Sequence, residues 1–315
     1  MPEAGARRRP ARGAGRAALH ADGVLLLAAA IWGGGFAAQR AGMAHLGPFL
    51  FNGIRFALAA LTVAPWCRLG GRQPQRRTLA RGPLLAAAAV GVVLFAGASL
   101  QQIGIVSTTA GKAGFITGLY VVLVPFAGRL LGLRIAATTW AGALLAVAGL
   151  YRLSMAETLR LAPGDGLVLL GAGCWAAHVL LLGQLSPRLH WAKLAGVQFA
   201  CCASLSLLAA WITGESVRLA AIAAAAVPLL YGGVVSVGVG YTLQVVGQRR
   251  APPAHAAILL STETVFAALA GWLALGESLT PRELTGAMLM LAGIVASQLG
   301  GMSPGGQRRP AAPAT

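Results

Sequence analysis

Charged residues are scarce in this chain, and acidic ones are the scarcest. Only 10% of the 315 residues are charged, with 8 Asp and Glu against 25 Lys and Arg, while 57% are hydrophobic. This is too little polar surface to cover a soluble globule of this length, so the composition indicates a membrane protein. The basic residues lie in short runs between apolar segments rather than on one face of a soluble module, and nucleic acid is therefore not an expected partner.

Catalytic, nucleotide-binding and metal-binding motifs are also missing. No GxGxxG opens a soluble βα unit, there is no HExxH, and Gly111-Lys112 is followed by Ala113 where a phosphate-binding loop requires Ser or Thr. The cysteines do not have the spacing of metal ligands, so they are expected to be small apolar packing residues. They are Cys67, Cys174, Cys201 and Cys202. The sequence therefore predicts no enzyme, no cofactor, no metal and no self-contained ATP-driven pump, so any energy used would come from a gradient.

The two halves of the chain repeat each other at an offset of 143 residues. Asp22-Gly23 corresponds to Asp165-Gly166 and Trp32 to Trp175, and after one inserted residue Gly142-Ala143 corresponds to Gly286-Ala287. Two equivalent halves, each almost wholly apolar, are typical of membrane transporters with internal repeats.

A helix needs about 20 apolar residues to cross a bilayer, and apolar runs close to this length predict the membrane spans. Ten are expected, at 22–42, 49–67, 83–104, 111–130, 138–152, 165–184, 194–213, 222–247, 254–276 and 284–300. The predicted fold is an all-α integral membrane protein whose ten transmembrane helices form two five-helix inverted-topology repeats. Because five is odd, the second repeat enters the membrane upside down, related to the first by a pseudo-two-fold axis in the membrane plane.

Basic residues orient these spans. With the N-terminus inside, the cytoplasmic side carries 18 of the 25 Lys and Arg, the outer side carries 5, and Arg55 and Lys112 lie within spans. The positive-inside rule then places both termini in the cytoplasm. The predicted organisation is a basic cytoplasmic tail at 1–21, repeats at 22–152 and 165–300, and a disordered cytoplasmic tail at 301–315.

The start of the chain resembles a signal peptide. The first helix nevertheless corresponds to the sixth, which lies mid-chain and cannot be a signal, so the first helix is expected to be retained. Abundant Ala, Gly and Pro, with Arg in preference to Lys, are associated with GC-rich bacterial genomes, and the expected location is the bacterial inner membrane.

Glu263 is the only acidic residue well inside a predicted span, about 13 Å into the ninth helix at 1.5 Å per residue. A carboxylate there is costly unless it is protonated, paired or hydrated, so Glu263 is a candidate for binding a proton or a cationic substrate group; the alternative is a protonated packing device. Its repeat equivalent is Tyr120. The carbonyl of Val121 next to it loses its helical partner to Pro125, so Tyr120 either lines a polar pocket or fills a kink.

Five further side chains are candidates for substrate binding. Gln101 and Gln244 are equivalent amides that face either a lumen or a neighbouring helix. Trp32 and Trp175 form either cavity walls or packing contacts. Arg55, about 10 Å from the outer end of the second helix, attracts an anionic group, pairs internally or snorkels to the interface.

Lys112 and His255 are equivalent residues one turn inside their spans, at opposite membrane faces, and are expected to be interface residues first and gating residues second. His178 is expected to be a core residue whose hydrogen bonds are satisfied.

Small residues recur on the fifth and tenth helices at Gly142, Ala146, Gly149, Gly286, Gly293 and Ser297. Such faces let helices approach closely, which predicts either a homodimer through helices 5 and 10 or packing within the chain.

Several motifs together resemble the EamA-type ten-helix members of the drug/metabolite transporter superfamily over residues 22–300. They are Trp32-Gly33, Arg55-Phe-Ala-Leu-Ala59, Ala113-Gly-Phe-Ile-Thr continuing through Tyr120 to Pro125, Glu263-Thr-Val-Phe-Ala-Ala, Leu275-Gly-Glu277 and Gly286. The resemblance implies two EamA domains and transport of small organic solutes across the inner membrane, without indicating which solute.

The predicted function is that of a secondary, gradient-driven transporter, with proton coupling as one form, that moves a small organic metabolite or drug by alternating access. A passive channel or facilitator and a non-transporting membrane scaffold are the alternatives. Channels show rings of repeated polar residues, whereas here Tyr120 corresponds to Glu263 and Arg55 to Gln198, which favours a shaped binding site. The intramembrane Glu263 disfavours a scaffold.

Overall fold

Every regular element in the described part of the chain is a helix. The computed structural model describes residues 12–69, 81–154, 162–275 and 280–301, so 1–11 and 302–315 of the predicted tails, and Gly276-Glu277 of the last motif, lie outside it. In the first half the helices are α1 Arg12–Gly33, α2 Gly35–Gly42, α3 Pro48–Leu69, α4 Arg81–Val106, α5 Ala110–Gly118, α6 Tyr120–Leu130 and α7 Ala137–Ser154. In the second half they are α8 Asp165–Leu185, α9 Trp191–Ile212, α10 Leu219–Ala224, α11 Ala226–Leu230, a π-helical stretch Tyr231–Tyr241, α12 Thr242–Gly247, α13 Pro253–Leu260, α14 Glu263–Leu275 and α15 Pro281–Gly301.

Seven helical segments are long and apolar enough to cross a membrane. They are 17–42, 48–68, 82–106, 110–130, 165–185, 191–212 and 226–247, which coincide with seven of the ten predicted spans. The other three predicted spans are helical as well, as α7, as α13 followed by α14, and as α15. The all-helical, multi-pass membrane fold is therefore confirmed, and the count of ten crossings stays a prediction.

Equivalent helices of the two halves pack against each other. The largest interfaces include α3 with α9 and α7 with α15, and each of these joins a helix to its own repeat equivalent. Other contacts are reciprocal, since α1 packs on α14 and its equivalent α8 packs on α6. Reciprocal contacts of this kind are what a two-fold relation between two similar units produces.

Glycines set the distance between α7 and α15. A Cβ atom at Gly149 would lie 2.5 Å from the carbonyl oxygen of Gly286, and one at Gly293 would lie 2.6 Å from the carbonyl oxygen of Gly142. Only glycine permits the two backbones to come this close. The small-residue faces are thus used for packing within the chain, and a homodimer through these two helices stays a prediction.

The fourth and ninth predicted spans are broken at equivalent points. The first break, at Leu119, separates α5 from α6, and the second, at Ser261 and Thr262, separates α13 from α14. Hydroxyl groups bind the carbonyls near the second break: Ser261 Oγ donates to the carbonyl of Ile258 (2.9 Å) and Thr262 Oγ1 to that of Leu259 (2.6 Å). Freed backbone groups at membrane depth need such partners. Tyr120 and Glu263 each begin the second half of a broken helix.

Two further irregularities lie in the first and eighth predicted spans. Gly34 separates α1 from α2, and the eighth span contains the π-helical stretch Tyr231–Tyr241. π-Helical segments are rare and occur frequently at functional sites. Irregular backbone within a span is tolerated where it is buried in protein or lines a cavity.

Candidate functional site

The broken helices meet at a central cavity that is lined by residues of both repeats. Six pairs of repeat-equivalent residues line it: Trp32 and Trp175, Gly35 and His178, Phe36 and Val179, Gln101 and Gln244, Thr117 and Leu260, and Tyr120 and Glu263. The remaining lining residues are Gln39, Arg55, Ser236 and Tyr241. Because both halves contribute the same positions, the cavity lies between the two repeats.

All seven side chains that the sequence singled out for substrate or proton binding line this one cavity. They are Trp32, Arg55, Gln101, Tyr120, Trp175, Gln244 and Glu263. Their shared location is a structural finding, whereas their roles in transport stay predictions. Sequence reasoning did not select Phe36, Gln39, Thr117, Ser236 and Tyr241, and it treated His178 as a core residue, although all six also line the cavity.

Aromatic rings form one wall of the cavity around Tyr241. Its ring centroid lies 4.6 Å from that of Trp32 and 5.9 Å from that of Trp175. The imidazole of His178 meets Tyr241 edge-on at 6.0 Å, and its Nε2 lies 2.9 Å from Oε1 of Gln198. Rings at these separations stabilise one another and present a flat apolar surface.

Hydrogen bonds of two amide side chains, Gln101 and Gln39, join the two repeats beside this wall. Oε1 of Gln101 accepts a hydrogen bond from the indole of Trp175 (2.8 Å) and one from the hydroxyl of Thr117 (3.3 Å). Nε2 of Gln101 donates to Oε1 of Gln39 (3.0 Å), and the Gln39 amide donates in turn to the carbonyl of Gly35 (3.2 Å). The amide of Gln101 therefore positions the tryptophan of the second repeat, which explains why an uncharged polar residue lies here.

Arg55 is a buried cation on α3, only 4% exposed. Its Cζ lies 5.0 Å from the ring centroid of Phe56 and 5.6 Å from that of Phe51. Within the described residues its guanidinium makes no hydrogen bond or ion pair with another side chain or the backbone, and its Nε is buried without a partner. Cation–π contacts offset part of the cost of burying this charge. The remaining donors are available to an anionic group in the cavity.

Glu263 is a buried acid that lines the same cavity as Arg55; it lies at the start of α14 and is 5% exposed. Among the residues that the structure describes, none donates a hydrogen bond to its carboxylate. The hydroxyl of Tyr120 and Oε1 of Gln244, which line the same cavity, are also buried without partners. Buried polar groups are almost always hydrogen-bonded, so these groups are suited to partners within the cavity.

The two gating candidates lie away from the cavity, and each contacts an aspartate. Lys112 Nζ is 2.7 Å from Oδ2 of Asp165, and His255 Nε2 is 3.1 Å from Oδ1 of Asp22. The sequence identified the two basic residues but not their acidic partners.

Comparisons with known proteins agree with this architecture. The model of the EamA-like transporter family matches the chain twice, at residues 20–155 and 162–297. A protein of Archaeoglobus fulgidus named as an uncharacterized transporter is 30% identical over 278 residues, which cover 88% of this chain and 85% of that protein. A solved crystal structure that is 20% identical has a TM-score of 0.72 and covers 89% of this chain and 97% of its own, which shows a shared fold. Two family matches, two halves packed around one cavity and several membrane-spanning helices lead to one conclusion: the chain is a membrane transporter that belongs to the EamA-like transporter family.

Proposed function

We propose that the protein is a secondary transporter that moves a small organic solute across the membrane by alternating access, with the central cavity as the binding site. The observation that carries this proposal is the position of the cavity between the two repeats, where equivalent broken helices meet. Transporters with inverted repeats place their substrate sites at the repeat interface, next to discontinuous helices. Rocking of one repeat against the other then exposes the same site to each side in turn.

The side chains around the cavity suit a solute with an apolar or aromatic body and charged groups. The rings of Trp32, Trp175 and Tyr241 supply a flat apolar wall. Arg55 suits an anionic group, and Glu263 suits a cationic group or a proton. A solute that satisfied both would remove the cost of leaving two charges buried without partners.

Glu263 is the residue that couples transport to a proton gradient in this proposal. A carboxyl group at membrane depth is neutral when protonated and needs a partner or water when ionised, so its protonation state changes with access to either side. The Tyr120 hydroxyl and the Gln244 amide lie around the same cavity and are suitable partners for either form.

The membrane arrangement completes the proposal. The chain crosses the bacterial inner membrane ten times, with both termini in the cytoplasm and the second repeat inverted relative to the first. The distribution of 18 basic residues on one side and 5 on the other supports this orientation.

Replacement of Glu263 by Gln tests the coupling. Growth of an overexpressing strain on toxic concentrations of amino acids and small drugs identifies a transported solute, and the purified protein is then reconstituted in liposomes with an imposed pH gradient. Glu263→Gln keeps the side-chain shape but cannot bind the proton, so we expect a folded protein whose transport of that solute no longer responds to the gradient.

The control is Glu283→Gln, which makes the same chemical change at a half-buried residue of α15 outside the cavity. That variant should keep the wild-type response. Gradient-dependent transport by Glu263→Gln at the wild-type level would show that Glu263 is a structural residue, and loss of membrane insertion would favour the packing role.

A further inference from the structure

Two acid–base pairs occupy equivalent positions in the two halves of the molecule. Lys112 pairs with Asp165 and His255 pairs with Asp22, and an offset of 143 residues converts one pair into the other, lysine to histidine and aspartate to aspartate. In each pair the aspartate lies at the start of the predicted first span of one repeat, and the basic residue lies in the predicted fourth span of the other. Both pairs therefore bridge the two repeats. We refer to them as the Lys112 pair and the His255 pair.

Each pair is reinforced by neighbouring donors. Oδ1 of Asp165 accepts a hydrogen bond from Thr108 (2.7 Å), and Oδ2 accepts one from the backbone amide of Ala162 (2.8 Å). In the other pair Oδ2 of Asp22 accepts from the amide of Gln298 (2.8 Å), and Nδ1 of His255 lies 2.7 Å from the hydroxyl of Ser297. The side chains are between 6% and 17% exposed, so both pairs are largely removed from solvent.

The two pairs lie at opposite ends of the spans. Arg40 Nη1 donates to the carbonyls of Ile105 (2.5 Å) and Val106 (2.6 Å), which places the end of α2 beside the segment that leads to Thr108 and the Lys112 pair. Arg40 follows Asp22 by 18 residues, a helical rise of about 27 Å. The His255 pair is therefore close to one bilayer thickness away from the Lys112 pair.

The central cavity lies between the two pairs. Tyr120 and Glu263, the first residues after the helix breaks, each follow the basic residue of a pair by eight positions, about 12 Å along a helix. Trp32 and Trp175 each follow the aspartate of a pair by ten positions. Separating one pair at its end moves a half-helix whose other end forms the cavity wall.

We propose that Asp22 and Asp165 are positioning residues that hold the two ends of the cavity closed in turn, the Lys112 pair at one membrane face and the His255 pair at the other. This inference rests on the proposed alternating access. When the repeats rock, one pair separates and opens the cavity to its side while the other stays formed. Both pairs are formed in the present structure.

Side-specific labelling of one cysteine in the cavity tests this. The four native cysteines, at positions 67, 174, 201 and 202, are replaced, and Ser236→Cys supplies a small reporter in the cavity lining. A charged, membrane-impermeant methanethiosulfonate reagent is added to right-side-out and to inside-out membrane vesicles, and the two labelling rates are compared.

Asp165→Asn should raise the labelling rate from the side of the Lys112 pair about five-fold and lower it from the opposite side, because a partly buried ion pair of about 1 kcal/mol no longer opposes opening there. Asp22→Asn should shift the two rates in the reverse direction.

The exchanged pair Lys112→Asp with Asp165→Lys should return the ratio of rates toward that of the unmodified protein. Thr108→Val, which removes a single hydrogen bond to Asp165, should give a smaller shift in the same direction and serves if Asp165→Asn does not fold.

The matched control is Glu215→Gln. Glu215 is a half-buried acid between the repeats, since it accepts hydrogen bonds from the backbone amides of Phe49 (3.1 Å) and Leu50 (2.7 Å), but it does not line the cavity. This variant should change neither rate.

The outcomes separate the two proposals. Labelling from both sides in the unmodified protein, with no reciprocal shift in the Asp22 and Asp165 variants, would overturn the gating role and leave alternating access standing. Lower thermal stability without a change in the ratio of labelling rates would show that the pairs only stabilise the packing of the helix ends. This result would also overturn the gating role. Labelling from one side alone in every variant would overturn alternating access itself.

Discussion

At the level of single residues, the cavity combines side chains whose hydrogen bonds are complete with side chains whose hydrogen bonds are not. Gln101 and Trp175 belong to the first group, because Oε1 of the amide accepts the indole N–H at 2.8 Å. Arg55 and Tyr120 belong to the second, because Nε of Arg55 and the hydroxyl of Tyr120 are buried without partners, and Glu263 lines the same cavity. The first group gives the cavity a fixed shape, and in the proposed function the second group binds a solute or a proton.

Replacement of Trp175 by Phe tests the first group. The ring remains, but Oε1 of Gln101 keeps only the 3.3 Å bond from Thr117, so the protein should lose about 1 kcal/mol of stability and unfold at a lower temperature in a detergent thermal melt. Trp211→Phe is the control, because this indole is 79% exposed on the outer surface. Equal melting temperatures for the two variants would show that the Trp175–Gln101 bond does not stabilise the cavity.

Residues on the cavity wall could be predicted from sequence where repeat equivalence and polarity coincided. Trp32 with Trp175, and Gln101 with Gln244, are aromatic or polar in both halves and stood out against apolar spans. Tyr241 has Ala98 as its equivalent and ends a π-helical stretch, where five-residue hydrogen bonding shifts the face that each side chain occupies. Gln39 follows the interruption at Gly34. Neither the symmetry of the repeats nor a regular helical period could therefore place these two residues.

At the level of elements, the breaks in the fourth and ninth spans decide where the cavity forms. The sequence predicted an interruption near Tyr120 from Pro125, yet the structure breaks the helix earlier, at Leu119. In the ninth span no proline or glycine lies at the break. The residues there are Ser261 and Thr262, whose hydroxyls bind the carbonyls of the preceding turn. A propensity argument predicts a continuous helix there, so the break could not be predicted from the sequence.

The contact between α7 and α15 gives a prediction for an element. Gly149→Ala places a methyl group 2.5 Å from the Gly286 carbonyl oxygen, so the two backbones must separate, at a cost of about 1–3 kcal/mol. Gly173→Ala, on α8, adds the same atom where nothing lies within 4 Å and should be neutral or stabilising because alanine favours a helix. Thermal melts should therefore show a lower melting temperature for Gly149→Ala and an equal or higher one for Gly173→Ala. A melting temperature for Gly149→Ala at or above that of the unmodified protein would contradict the close packing.

At the level of the whole molecule, the repeat links sequence, fold and site. Reciprocal helix contacts, the cavity lined by equivalent residues and the Lys112 and His255 pairs all follow from two similar halves facing each other. Some departures from symmetry are structural, such as the π-helical stretch Tyr231–Tyr241, whose equivalent in α4 is regular helix. Others are chemical: glutamate against tyrosine in the cavity, and lysine against histidine at the two ends. A symmetric scaffold with unlike groups at the equivalent points can favour one direction of opening over the other.

Distances at the two ends of one molecule give the most direct test of alternating access. In a protein without its native cysteines, spin labels are attached at Gly111 and Gly166 beside the Lys112 pair, or at Gly23 and Leu299 beside the His255 pair. At the three glycines an added Cβ atom meets no atom within 4 Å, and Leu299 is 61% exposed. Double electron–electron resonance in lipid nanodiscs, recorded over a range of pH, should give a short and a long distance for each label pair. The long-distance population at one end should grow as that at the other end falls. A single distance at both ends that is unchanged by pH would contradict alternating access around the central cavity.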